Sequence, residues 1–230
     1  KKEGHKVEVF DTTYYSTDHG NNSDGSKEEG LNVVPFSLEM QKRGLVPKTT
    51  KWEDDIKIQL DKFNPDLIAL SSTEDMWELG VKLLREIKYY IEKNNVPVIA
   101  GGVFPTFAPD ICIEDENVDL VCVGEGENAL IDLCKKIETG EDYSDVTNLW
   151  VKKDGKVIKK NSITKPVDIN KNPIIDTTIF EEKRLYRPMA GKVYKMFPVE
   201  TIRGCPFTCK FCNSPDQHRL YKGIGANFYR

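Results

Sequence analysis

Three cysteines near the carboxyl end are the residues whose spacing most clearly indicates chemistry. Cys205, Cys209 and Cys212 follow a C-x3-C-x2-C pattern, directly after an apolar run over 197–202 that is typical of a strand. Thiolates are the ligands that hold iron–sulfur clusters. Three of them can bind three corners of a cubic cluster, which leaves the fourth iron open to a substrate or cofactor, as in catalytic metal sites. The spacing therefore predicts an iron–sulfur site.

Two other uses of these cysteines stay open on spacing alone. His218 could join the three thiols in a Cys3His zinc site, although the spacing differs from the usual zinc-finger spacings. A disulfide with one free thiol is the other use, but nothing else in the chain is typical of a secreted, disulfide-rich domain. The remaining cysteines stand far apart in apolar or helical surroundings, and we expect them to be buried and inert: Cys112, Cys122 and Cys134.

Composition limits the class of protein. The chain has 230 residues, enough for one large or two small domains. Charged residues make up 30% of it but the net charge is only -4, so no basic field favours a nucleic-acid partner. No run approaches the roughly 18 apolar residues that a membrane helix needs, and no signal peptide opens the chain. The sequence therefore predicts a cytoplasmic protein without a membrane span.

Apolar runs and helical periodicity alternate along most of the chain. Apolar and β-branched runs predict strands at residues 7–10, 67–70, 96–100 and 118–123. Apolar residues at helical spacing predict helices over residues 36–44, 52–63, 76–94, 106–115 and 128–139. Ser72 and Asp75 match a helix capping box. A polar loop is predicted over 12–30, and we expect His19 within it to be solvated rather than a ligand.

This alternation predicts an α/β fold with a Rossmann-like, doubly wound, mainly parallel sheet over residues 1–145. The Asp154-Gly155 pair is typical of a tight hairpin turn, so residues 146–192 are expected to form a β-hairpin and a linker. Residues 193–230 begin a further domain that carries the cysteines. Ligands of doubly wound folds bind outside the carboxyl ends of the strands, where three loops supply candidate residues: Ser71, Ser72 and Thr73; Gly101 and Gly102; and Gly124, Glu125 and Gly126.

The segment over residues 203–212 resembles the cluster-binding loop of the radical S-adenosylmethionine (SAM) enzymes. The resemblance implies that Cys205, Cys209 and Cys212 bind a [4Fe-4S] cluster whose fourth iron binds SAM, and that SAM is cleaved to a 5′-deoxyadenosyl radical. It implies that residues 193–230 hold the first strand and cluster loop of a radical SAM barrel, with Phe211 near the cluster or the adenine. An electron donor such as a flavodoxin or ferredoxin is implied as a partner. Arg203 is expected to order the strand end rather than to take part in chemistry.

The order of the motifs along the whole chain resembles that of the cobalamin-binding radical SAM family, in which a Rossmann-like domain precedes the barrel. The clearest parts of the likeness are residues 65–72, 98–102 and 121–127. The resemblance implies that the three candidate loops face the corrin ring or the nucleotide tail of cobalamin. It also implies methyl transfer to an unactivated carbon of a small-molecule or peptide substrate, or ring formation or oxidation. The Asp-x-His-x-x-Gly motif that supplies a cobalt-ligating histidine in some cobalamin proteins is absent.

Other functions stay open beside this one. The chain could be a cobalamin carrier or sensor with a structural zinc at the three cysteines. It could also keep the same fold without cobalamin, with its loop glycines serving only turns and helix caps. Because the chain opens without Met and ends soon after Cys212, we expect a piece of a longer protein. The family's first strand and helix would then precede Lys1, and most of the barrel would follow Arg230.

Overall fold

The structure is a computed structural model that describes residues 1, 3–15, 42, 44–46, 48–189 and 192–230. His19 lies outside the described residues. So do most of the polar loop predicted over 12–30 and most of the helix predicted over 36–44.

The described residues form two compact units. One is built from residues 1–64 and 174–199, and the other from residues 65–173 and 200–230. The first contains α1 (Trp52–Phe63), which confirms the predicted helix. All of the candidate site residues lie in the second unit. The domain boundaries predicted after residues 145 and 192 stay a prediction.

The second unit is built on a five-stranded sheet whose strands lie side by side in chain order. They are β1 (Ile68–Ser71), β2 (Val98–Gly101), β3 (Leu120–Cys122), β4 (Leu149–Lys153) and β5 (Lys156–Lys160). β1, β2 and β3 are parallel, whereas β4 is antiparallel to both β3 and β5. The prediction of a parallel α/β sheet is confirmed for β1, β2 and β3, but the sheet as a whole is mixed, because β4 and β5 join it as antiparallel strands.

Helices connect the parallel strands. A 3-10 turn (Glu74–Met76), α2 (Trp77–Glu86) and α3 (Lys88–Asn94) follow β1. Then α4 (Val103–Phe107) and α5 (Pro109–Glu114) follow β2, and α6 (Glu127–Thr139) follows β3. α6 ends at Gly140, which has a φ of 70° and closes the helix as expected for a glycine at this position.

The helix predicted over 76–94 is interrupted at Ile87, which separates α2 from α3. The predicted capping box is wrong as well. The hydroxyl of Ser72 donates to the carbonyl oxygen of Thr73 (2.7 Å), and the hydroxyl of Thr73 donates to Asp75 (2.5 Å). These side chains bond within the loop instead of capping helix N–H groups, a competition that is common for serine and threonine.

The predicted hairpin explains why the sheet is mixed. Asp154 and Gly155 have φ values of 51° and 71°, as the predicted turn requires. Leu149 and Val151 of β4 are buried, and β4 pairs with β3. These two residues share a core with side chains of β2, β3 and α6: Ile99, Leu120, Cys122, Ala129 and Leu133. Burial of this apolar face holds β4 in the main sheet, and the exposed strand β5 is held by its pairing with β4.

Two predicted strands are absent. Residues 7–10 form no strand, and no strand of the described residues lies beside them to supply ladder hydrogen bonds. Residues 197–202 are also irregular, with Phe197, Val199 and Ile202 all exposed. Before them, β6 (Tyr186–Met189) and β7 (Lys192–Lys195) form a separate antiparallel hairpin in the first unit. An apolar run without a paired neighbour does not become a strand.

The chain closes the second unit with α7 (Ser214–Lys222) and a carboxyl-terminal segment. Tyr221 of α7 stacks on Phe228, with ring centroids 5.0 Å apart, and both residues are buried. Among the described residues, no helix has the length and apolar character that a membrane crossing requires.

Candidate functional site

The three predicted loops meet at one edge of the sheet, at the carboxyl ends of β1, β2 and β3. The backbone N–H of Ser72 donates to the carbonyl oxygen of Gly101 (3.1 Å), and the N–H of Phe104 donates to the carbonyl oxygen of Ser72 (3.3 Å). The N–H of Gly124 donates to Oγ1 of Thr106 in α4 (3.1 Å). Direct hydrogen bonds therefore join the loops, as expected for neighbouring parallel strands.

Two glycines of these loops are required by the backbone. Gly102 has a φ of +100°, and a Cβ there would lie 2.9 Å from the carbonyl oxygen of Ser72. Gly124 has a φ of +84°, and a Cβ there would lie 2.6 Å from the hydroxyl of Tyr221. Both backbone conformations favour glycine. Gly101 and Gly126 have neither feature: a Cβ would meet its nearest neighbour at 3.7 Å and 3.4 Å.

The β3–α6 loop, residues 123–126, is held by two buried side chains. Nδ2 of Asn148 donates to the carbonyl oxygens of Val123 (3.0 Å) and Glu125 (3.2 Å). The N–H of Glu125 donates to the hydroxyl of Tyr221 (2.8 Å). Asn148 and Tyr221 are each 1% exposed, and burial raises the pKa of Tyr221 to about 12. The backbone of this loop is therefore fixed from both sides.

The carboxylate of Glu125 is engaged by protein groups. Nη2 of Arg230 lies 2.6 Å and 2.8 Å from its two oxygens, and the N–H of Val167 donates to Oε2 (2.7 Å). Nη1 of Arg203 lies 3.2 Å from Oε1. The side chain of Glu125 is 9% exposed. A buried charge is stable only when it is paired in this way, so the carboxylate holds the loop in place.

The cysteine loop, residues 203–213, is joined to the carboxyl-terminal segment. The backbone N–H of Arg203 donates to the carbonyl oxygen of Arg230 (2.8 Å), and the N–H of Arg230 donates to that of Arg203 (3.0 Å). Gly204 has a φ of +90°, and a Cβ there would lie 2.9 Å from Cα of Tyr229. Only glycine allows this close approach without distortion, so Gly204 fixes the start of the cysteine loop.

Arg203 links the cysteine loop to the β3–α6 side of the sheet. Its Nη1 lies 2.5 Å from Oε1 of Glu127, and its Nη2 lies 2.8 Å from Oε2 of Glu200. Hydrogen bonds to Glu200 and then to Glu127 raise the pKa of Arg203 above its usual value, and Arg203 in turn lowers the pKa of Glu200. The expectation that Arg203 orders a strand end is wrong, because no strand forms there and two of its three partners, Glu125 and Glu127, lie in another part of the chain. That Arg203 takes no part in chemistry stays a prediction.

The predicted cluster ligands lie in one loop at or near the surface. Cys205 is half-buried, and Cys209 and Cys212 are exposed. Hydrogen bonds with Ser214 lower the pKa of the Cys212 thiol. In the part of the chain that the structure describes, no three histidine, cysteine, aspartate or glutamate side chains are grouped so that they could hold a metal ion. Phe211 is 93% exposed. The cluster ligands and the role of Phe211 stay predictions.

Two of the three other cysteines are more buried than the predicted cluster ligands. Cys112 and Cys122 are buried, and burial raises the pKa of each thiol to about 12; Cys134 is half-buried. We expect iodoacetamide at pH 8 to alkylate Cys209 and Cys212 at least about 100-fold faster than Cys122, because the thiolate is the nucleophile. Peptide mass spectrometry measures this, and unfolding in guanidinium should abolish the difference. Comparable rates in the folded chain would contradict the structure.

Residues 30–133 match the family model described as the B12 binding domain. The match includes all three loops at the carboxyl edge of β1, β2 and β3. The chain contains a B12 binding domain. The cysteine loop lies beyond the residues that match this B12 binding domain.

Curated relatives extend the likeness beyond the B12 binding domain. The chain is 29% identical over 166 residues to an uncharacterized methyltransferase of Pyrococcus horikoshii, covering 70% of this chain and 34% of that protein. It is 30% identical over 170 residues to 4'-phospho-dehydrooxetanocin synthase of Priestia megaterium, covering 72% of this chain and 21% of that protein. The chain thus spans about a third or less of these relatives.

One solved structure that this chain matches is that of the cobalamin-dependent S-adenosylmethionine radical enzyme OxsB with aqua-cobalamin and S-adenosylmethionine bound. It matches 59% of this chain and 20% of its own, with 25% identity and a TM-score of 0.45, a value too low to support an argument. The chain is a distant relative of the two curated proteins, and residues 30–133 carry its likeness to the B12 binding domain.

Sequence patterns did not predict the residues that hold the loops together. Asn148, Tyr221 and Arg230 each contact the β3–α6 loop of the B12 binding domain. Asn148 has a φ of 67°, and an asparagine before a strand is a weak signal of such a conformation. Nothing local to Tyr221 or Arg230 indicates their partners.

Proposed function

We propose that this chain is the cobalamin-binding and cluster-binding part of a cobalamin-dependent radical SAM enzyme. The observation that carries this proposal is the contact of Arg203, at the start of the cysteine loop, with Glu125 and Glu127 of the B12 binding domain. The two segments carry the sequence signatures of two different cofactors. Their contact supports a single site that serves both.

The carboxyl edge of β1, β2 and β3 fits a broad ligand that approaches the backbone closely. Ser71, Thr73 and Gly102 are exposed there and small. The Cβ that other residues would add at Gly102 has no room beside Ser72. Because Ser72 is buried and the carboxylate of Glu125 is engaged by protein groups, we assign these two residues to holding the loops rather than to ligand contact.

The cysteine loop fits a cluster in ligand type and access. Cys205, Cys209 and Cys212 are free thiols within one short segment, and two of them are exposed. Since metal ligands are commonly brought together only when the metal binds, the loop is expected to close around the cluster on assembly. Gly204 and the paired Arg203 and Arg230 backbones fix where that loop begins.

When bound, the cluster with SAM supplies a 5′-deoxyadenosyl radical, and cobalamin supplies a transferable methyl group. The residues of this chain bind and orient these groups. The loop backbones of the B12 binding domain would contact cobalamin, and the thiolates of the cysteine loop would bind the cluster. The proposal includes an electron donor such as a flavodoxin or ferredoxin, and a small-molecule or peptide substrate.

Cobalamin binding is tested by a bulky residue at the proposed edge. Ser71→Phe places a ring on the exposed end of β1, where it would overlap a corrin. We expect the Kd for hydroxocobalamin, measured by equilibrium dialysis, to rise at least about tenfold. Thr139→Phe adds the same ring at the exposed far end of α6, about 18 Å of helix away, and should leave the Kd unchanged.

The outcome separates the candidate functions. No saturable binding by the unmodified chain would contradict the cobalamin part of the proposal, and an unchanged Kd in Ser71→Phe would place the ligand elsewhere. Stoichiometric zinc without iron after anaerobic purification would favour the carrier or sensor with a structural zinc.

Gly102→Leu is a poor probe of the cobalamin edge, because Gly102 has a φ of +100° and a side chain there would meet the Ser72 carbonyl and distort the loop itself.

A further inference from the structure

Each nitrogen of the Arg203 guanidinium contacts a carboxylate. Nη1 faces Glu127 (2.5 Å) and Glu125 (3.2 Å), while Nε and Nη2 donate to Glu200 (3.1 Å and 2.8 Å). The side chain is 20% exposed. It stands two residues before Cys205, so any displacement of Arg203 displaces the first proposed cluster ligand.

An arginine is required for this set of contacts. All three guanidinium nitrogens are engaged, and the planar fork fixes the direction of each contact as well as its distance. A lysine ammonium is a single point charge that could serve one of the carboxylates at a time. Charge-assisted hydrogen bonds of this kind are among the strongest that side chains make.

The β3–α6 loop does not depend on Arg203 for its own shape. Arg230 and the N–H of Val167 hold the Glu125 carboxylate, and Asn148 and Tyr221 hold the loop backbone. Removing the Arg203 side chain therefore leaves the loop with its other supports. What is lost is the side-chain link between this loop and the cysteine loop.

We propose that Arg203 is a positioning residue that fixes the cysteine loop against the β3–α6 loop and so sets the position of the cluster relative to cobalamin. The proposal rests on the proposed function for the identity of the two cofactors. The guanidinium of Arg203 is engaged by the carboxylates of Glu125, Glu127 and Glu200, and Arg203 acts through the loop that carries Cys205. Its removal should therefore change the geometry between the cofactors more than the binding of either one.

The first test needs no cofactor. In Arg203→Gln, hydrogen exchange of peptides covering residues 200–213 and 226–230 should become about tenfold faster, while peptides from β1, β2 and β3 keep their rates. The exchange rates of Arg203→Lys should lie between those of the unmodified chain and those of Arg203→Gln, because lysine keeps the positive charge but lacks the planar guanidinium. Arg219→Gln and Arg219→Lys are matched controls, since Arg219 pairs with Asp216 on the exposed surface of α7.

A double-mutant cycle identifies the partner. If Arg203 acts through Glu127, the Glu127→Gln variant should itself speed exchange in the cysteine loop. Adding Arg203→Gln to it should then have a smaller effect than in the unmodified chain. Fully additive effects would contradict this pairing.

The second test uses the loaded protein. Iron content and the Kd for hydroxocobalamin of Arg203→Lys should stay within about twofold of the unmodified protein, because the ligands and the cobalamin edge are intact. The magnetic interaction between cob(II)alamin and the reduced cluster, seen as line broadening in electron paramagnetic resonance, should change. A merely structural role would lower both cofactor contents together with the melting temperature.

The two proposals fail in different ways. An unmodified protein that binds neither cobalamin nor iron contradicts the proposed function. Unchanged exchange in the cysteine loop of the Arg203 variants, or an unchanged magnetic interaction at full cofactor content, contradicts the positioning role of Arg203.

Discussion

A Cys209→Ala variant is expected to hold no stable [4Fe-4S] cluster after anaerobic reconstitution. With only Cys205 and Cys212 left, a second corner of the cluster would have no protein ligand, beside the fourth iron that has none in the unmodified protein. Iron and sulfide per chain should fall from about four to near zero, and the broad visible absorption should be lost. Because Cys209 is exposed and contributes to no core, the melting temperature without cofactors should not change.

Cys134→Ala is the matched control, since it removes the same thiol from a half-buried position in α6. It should keep the full iron and sulfide content. Retention of a four-iron cluster by Cys209→Ala would contradict the ligand assignment, and loss of the cluster from both variants would indicate a general failure of reconstitution.

The second large effect is expected at Asn148, which supports the β3–α6 loop from inside the second unit. Its side chain donates to the carbonyl oxygens of Val123 and Glu125 and accepts from the N–H and hydroxyl of Thr164 (3.0 Å each). Asn148→Ala removes the hydrogen-bond partner of the Val123 and Glu125 carbonyl oxygens and of the Thr164 N–H and hydroxyl, at a position where Asn148 is buried. We expect it to lower the free energy of unfolding by about 3 kcal/mol, measured by urea denaturation.

Two further variants separate the causes of that loss. Asn170→Ala removes an exposed asparagine side chain whose partner is Asp168, and should change the free energy of unfolding by less than about 0.5 kcal/mol. Asn148→Gly removes the same hydrogen bonds but accepts the φ of 67° without strain, so it should be less destabilising than Asn148→Ala. A loss below about 1 kcal/mol in Asn148→Ala would show that water replaces the side chain.

Local signals in the sequence predicted the features that depend on a few neighbouring residues. The turn at Asp154 and Gly155 follows from the φ values that this pair tolerates, and the helix over 52–63 follows from its apolar spacing. The apolar runs predicted β1, β2 and β3 near their observed bounds. β2 and β3 are buried on both faces and need no alternation, whereas the residues of β1 alternate between half-buried and exposed. The runs at 7–10 and 197–202 have similar composition but lack a paired neighbour, and they form no strand.

The sequence by itself determined which groups could bind cofactors: three thiols at cluster spacing, and small residues at the carboxyl ends of successive strands. Only the tertiary structure decided that β4 lies beside β3, and that Arg203 reaches Glu127 and Arg230 reaches Glu125, across 76 and 105 residues of chain. The physical reason is that a turn or a ligand spacing is fixed by short-range sterics and covalent geometry. An ion pair between distant residues exists only once burial of the shared apolar core has brought their elements together.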